Sequence, residues 1–179
     1  HILRDFPLLQ ETNAAELQAY LKTLGDLIDV GSFDLVVCNT LTTFWGLEMA
    51  RMFNVPSIWH IHESTRIEVY NVFFEKSVRS LLCSCFMNAN RVVFQAEATR
   101  RLFHDMEARG NFCTIPGGVP LERINAFRAS HGKKQMRAKY GIDENCTVVT
   151  LIGTTCERKG KHVFLDAIQE LEKEYPKGL

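Results

Sequence analysis

Apolar residues recur with a helical period over 14–30, at Leu17, Leu21, Leu24 and Ile28, behind Thr12 or Asn13 as an N-cap and ahead of Gly31 as a stop. The next apolar run, 34–38, is short, continuous and bounded by turn residues, which predicts a strand covered on both faces. Asn39 and Thr40 fall at its carboxyl end. A helix over about 42–53 carries the chain back through Asn54, Val55 and Pro56 to a second strand, 57–61, so that strand, helix and parallel strand make one βαβ unit. Alternation along this second strand puts His60 and His62 on one face and Trp59 and Ile61 on the other.

Between 66 and 90 the period is helical again, with Tyr70, Phe74, Val78, Leu81 and Cys85 three or four apart, and one or two helices are predicted. The stripe reads as a core-facing side, with a surface that touches a membrane or an acyl acceptor as the alternative. A strand over 91–95, a helix from 96 to about 106 with Arg100 and Arg101 on a solvated face, and a strand over 112–115 follow. Pro116 to Pro120 is a turn, because Gly117 and Gly118 permit positive φ and the prolines forbid regular pairing.

From 121 to 144 the chain is polar and basic, with Arg123, Arg128, Lys133, Lys134, Arg137 and Lys139 among a few apolar residues. It reads as a solvated connector of two short helices containing a domain boundary, with phosphate binding as the alternative. The run 146–152 predicts a fresh buried strand, and 153–160 leads into a helix with Val163, Phe164, Ala167, Ile168 and Leu171 as its apolar side.

Composition narrows the partners. Lys plus Arg and Asp plus Glu both total 21 in 179 residues, so no global charge draws the chain to nucleic acid or acidic lipid. Six cysteines show no CxxC and no zinc spacing, and read as buried free thiols of a reducing cytoplasm. The chain opens on His1 with no basic-then-apolar leader, which reads as a piece of a longer protein. The most apolar long stretch, 67–87, is broken by Glu68, Glu75, Lys76 and Arg79, and falls short of the roughly 20 apolar residues of a membrane span. A soluble, cytoplasmic chain with at most peripheral membrane contact is expected.

Two features carry chemistry. The end of the strand 57–61 presents His60 and His62 where open α/β sheets bind ligands, although histidines in a strand also serve as hydrogen-bonded packing. The loop 153–160 sets Thr154, Thr155, Arg158 and Lys159 before a helix whose first-turn N–H groups favour an anion, and diphosphate is the natural guess. It matches neither the Walker loop nor GxGxxG.

In their order these pieces resemble the middle of a GT-B glycosyltransferase of family four. The likeness rests on Asp34 to Val37, Pro56 to Glu63, Arg91 to Phe94, Ile115 to Val119, and Val149 to Gly153 with Arg158, Lys159, Gly160 and Ala167, and covers about residue 33 to the end. It implies a Rossmann-like parallel sheet flanked by helices: 1–120 as a partial acceptor-side domain, 121–144 as connector, 145–179 as the start of a nucleotide-sugar-binding domain. It implies a hexosyltransferase-type enzyme that moves a sugar from a nucleotide-sugar to a glycan or polysaccharide acceptor with retention. No metal or cofactor is implied, and the sequence has no Asp-x-Asp.

The family's motif histidine falls on His62, with Glu63 beside it as a second catalytic candidate and Asn39 and Thr40 at the acceptor cleft. The family's I-P-N-G-V-D turn matches 115–120 with Gly117 for the asparagine and Pro120 for the aspartate, making Gly117 and Gly118 the hinge. Its G-R-L-x-x-x-K-G diphosphate loop matches Gly153 to Gly160, with Lys159 on the lysine and Thr154 where the arginine stands; Arg158 substitutes only if the loop turns it inward.

The resemblance also implies that the family's glycine-rich loop lies before His1 and its Glu-x7-Glu beyond Leu179, so that the remainder of the parent chain is a needed partner and this stretch alone is inactive. A nucleotide-sugar 2-epimerase of the same fold, or a non-catalytic Rossmann-like binding or structural module, are the alternatives.

Overall fold

Asn13 opens the first helix, α1 (Ala14–Leu27), with a capping box: its side chain accepts from the Glu16 N–H, and the Glu16 carboxylate accepts from the Asn13 N–H. The helix stops at Leu27 rather than Val30. Asp29 takes the left-handed conformation (φ 52°), not Gly31, and so drops Val30 into the core within a short 3-10 turn. The structure is a computed structural model that describes residues 10–175, and the chain forms two units, 1–118 and 119–179.

The first unit is built on four parallel strands in the order β1 (Val36–Asn39), β2 (Ser57–Ile61), β3 (Arg91–Phe94), β4 (Phe112–Thr114). Between them run α2 (Phe44–Met52), α3 (Lys76–Asn88) and α4 (Glu97–Leu102). Each crossover steps one strand in the same direction, so right-handed connections place all three helices on one face of the sheet. That face carries the fully buried Trp59, Ile61, Val92 and Phe94, and the Phe86 ring of α3 packs 4.6 Å from Trp59. The fold is Rossmann-like α/β.

The expectation that β1 is covered on both faces does not hold. Cys38 is buried under α2, but Val37 on the other face is 62% exposed, because α2, α3 and α4 all lie on the Cys38 face. Cys38 also sets how closely α2 approaches: a Cβ on Gly46 would stand 2.7 Å from its Sγ. Burial pushes the Cys38 thiol up to about 11. The reading of all six cysteines as buried is corrected as well, since Cys38 and Cys85 are buried, Cys83 and Cys113 half-buried, and Cys146 and Cys156 exposed.

The aromatic stripe of 66–90 faces the core. A 3-10 turn, Ile67–Phe73, precedes α3; Phe74, Val78 and Cys85 are buried, and Tyr70 and Leu81 pack against them. Glu75 caps α3 by accepting from the Ser77 N–H and hydroxyl, and these bonds hold its carboxyl below the ordinary value. Asn111 ties the far end of α3 to β4, donating to the carbonyls of Phe86 and Ala89. Arg100 is not simply solvated: it reaches Glu107 at 3.1 Å and Glu97 at 3.6 Å, whereas Arg101 stays 77% exposed.

In the second unit, α5 (Leu121–Ser130), α6 (Lys133–Lys139) and α7 (Lys161–Glu174) form where the pattern predicts helices. The strand expected over 146–152 does not: the chain there joins no ladder, and Val148, Val149, Leu151 and Ile152 are 49%, 50%, 39% and 91% exposed. An apolar run is a strand only when a neighbour satisfies its backbone groups. Among the described residues of 119–175 none is buried.

Candidate functional site

β2 delivers its last side chains to the carboxyl end of the sheet, as the alternation predicts. Trp59 and Ile61 are buried, His60 is half-buried and His62, one residue past the strand, is exposed. The His60 and His62 rings meet at a tilt of 46°, with centroids 4.2 Å apart. Burial first, and then the neighbouring His62, hold the His60 imidazole below its ordinary value of 6.5, and its Nε2 is a buried atom with no hydrogen-bond partner among the described residues.

Register brings Asn39 to the same place. Asn39 pairs with His60 across β1 and β2, and its Oδ1 lies 2.6 Å from His62 Nε2. Thr40 follows at φ 82° and ψ 157°, a region that a β-branched residue occupies only under constraint. The constraint is visible: the Thr40 N–H donates to the His60 carbonyl at 2.8 Å, and the Thr40 carbonyl accepts from Trp59 Nε1 at 2.8 Å and from the Thr43 hydroxyl at 2.9 Å. Glu63 turns back, one carboxylate oxygen accepting from the His62 N–H at 3.0 Å. His62, Glu63, Asn39 and Thr40 are therefore one cluster. Trp59 and Thr43 belong to it and were not legible as site residues; only strand register reveals them.

The second candidate lies in the other unit. Glu157–Lys159 form a 3-10 turn, and Gly160 (φ 64°) reverses the chain into α7, whose N-terminus carries no side-chain cap. The Lys159 stem lies 3.7 Å from where a Cβ on Gly153 would stand, so these two residues are brought together. Thr154 faces Cys156 at 3.8 Å, a contact that lowers the Cys156 thiol, and Lys161 donates to Thr155 at 3.0 Å. Arg158 makes no hydrogen bond or ion pair among the described residues. Gly117 and Gly118 have open space around them and neither has positive φ, so the turn does not use the freedom that glycine allows.

Among the described residues no group of three or more His, Cys, Asp or Glu side chains could hold a metal ion, and no helix is long and apolar enough to cross a membrane. The chain is an α/β protein with a polar, strained cluster at the carboxyl end of its parallel strands, the edge at which open α/β sheets in general bind ligands. The model of the family described as Glycosyltransferase Family 4 matches residues 1–123, and the chain belongs to that family. Among curated proteins none matches it.

Proposed function

We propose that the protein transfers a sugar from a nucleotide-sugar donor to a glycan or polysaccharide acceptor, with retention and without a metal ion or cofactor. The observation that carries this reading is the hydrogen-bonded pair His62 and Asn39 at the carboxyl end of a parallel sheet, in a chain of a glycosyltransferase family. A histidine there can bond sugar hydroxyls, with Asn39 and Thr40 beside it on the acceptor side and Glu63 as its neighbour. The loop of Gly153, Thr154, Arg158 and Lys159 is assigned to the donor diphosphate, where a cation stabilises the leaving group. Gly117 and Gly118 are assigned to the hinge, and the enzyme is assigned to the cytoplasm.

The test is incubation of the full-length protein with UDP-, GDP- and dTDP-sugars and an oligosaccharide acceptor, with and without chelator. Transfer from one donor class, an unchanged anomeric configuration and no effect of chelator are expected. Inverted product, or loss of transfer with chelator, contradicts the corresponding part; no transfer from any donor contradicts the whole.

A further inference from the structure

A carbonyl oxygen can only accept a hydrogen bond, so the His62 nitrogen that faces Asn39 Oδ1 at 2.6 Å is the one that carries hydrogen. In the neutral ring Nδ1 is then the lone-pair nitrogen, and it has no hydrogen-bond partner among the described residues. Asn39 is held in place from both sides. The peptide that leaves it is fixed at both ends, its carbonyl accepting from the Thr43 hydroxyl at 3.1 Å and the Thr40 N–H donating to the His60 carbonyl at 2.8 Å, and the Trp59 indole holds the carbonyl of the next. The His60 ring lies against one side of His62, tilted at 46° with centroids 4.2 Å apart.

We propose that Asn39 is a positioning residue that holds neutral His62 as the Nε2–H tautomer and so makes Nδ1 the atom that accepts a hydrogen bond from a sugar hydroxyl. The sugar rests on the glycosyl-transfer reading above; the tautomer does not. A histidine just past the second strand is thereby aimed by the end of the first, which the Thr40 N–H ties to the His60 carbonyl.

The experiment is long-range 1H–15N correlation of the chain labelled at histidine, above neutral pH, with His62 assigned through His62→Gln. The wild type is expected to show Nε2 protonated and Nδ1 bare. Asn39→Ala gives an averaging pair of tautomers, while Asn39→Asp, whose carboxylate likewise only accepts, keeps Nε2–H. Asn39 is exposed, so both substitutions are read in a folded chain.

Protonation at Nδ1 in the wild type, or an Asn39→Ala spectrum identical to it, overturns the positioning role. Titration with UDP-glucose, UDP-N-acetylglucosamine, GDP-mannose and dTDP-glucose, and separately with a maltooligosaccharide, tells donor from acceptor hydroxyls by which of them moves the Nδ1 shift. A fixed tautomer with Nδ1 unmoved by all of them overturns the sugar assignment alone, and a moved Nδ1 on an unfixed ring overturns Asn39 alone.

Discussion

Trp59 Nε1 donates to the Thr40 carbonyl at 2.8 Å, and a fully buried indole thereby anchors a β-branched residue at φ 82°. Such a backbone costs about 1–3 kcal/mol in any residue with a Cβ. Thr40→Gly is expected to be at least as stable as the parent, and Thr40→Ala less stable than Thr40→Gly, by chemical denaturation. Equal midpoints for the two would remove the strain. Trp59→Phe loses a hydrogen bond worth about 1 kcal/mol and leaves a cavity besides, so its midpoint falls further than that bond alone explains.

Glu48 is a charge inside the core of the first unit. Its side chain is 0% exposed and is held by Arg51 at 2.7 and 2.8 Å and by Gln18 at 2.6 Å, which pins α1 to α2. Arg51→Ala strands that carboxylate, at a cost of about 3 kcal/mol, toward the low end because Arg51 is half exposed. Adding Glu48→Leu to Arg51→Ala is expected to recover most of the loss. A double-mutant cycle that shows simple additivity contradicts this.

His60 gives stability a slope with pH. Its folded-state pKa lies below 6.5, so above that value the ring is neutral in both states, and below it the unfolded chain binds the proton more readily. Stability therefore falls as pH drops from 6.5 toward the lower folded value. His60→Gln is expected to flatten urea-unfolding free energies measured between pH 7.5 and 5.5, and an unchanged slope would assign the loss to other groups.

What the pattern of residues made legible follows from how local each signal is. The strand 57–61 and the helix starting at Ala14 were readable because alternation and a capping box act over a few neighbours. The run 146–152 misled because apolarity states a preference for burial, while a strand also needs a partner. At the site, His62 was readable from its place after the strand. Its bond to Asn39, the indole on Thr40 and the positive φ of Thr40 were not, since all three depend on how β1 registers against β2. Glu48 was hidden because its partner Gln18 comes from a different helix, and only the packing of α1 on α2 brings them together.

Lys159 lies in the exposed turn before α7, with its stem against Gly153. If it holds the donor diphosphate, Lys159→Ala removes a charge-assisted bond of about 1.5–3 kcal/mol, a loss of roughly tenfold or more in nucleoside diphosphate affinity. Titration calorimetry of the full-length protein checks this, and equal binding by the variant contradicts it.

In the proposed reaction His62 meets the reacting sugar. The most direct measurement is kcat of full-length His62→Ala against wild type with the accepted donor, alongside the unfolding midpoint of each. A fall of roughly a hundredfold in kcat at an unchanged midpoint is predicted, as when one preorganised hydrogen-bonding group is removed from a reaction centre. Unchanged kcat at an unchanged midpoint would place the chemistry elsewhere.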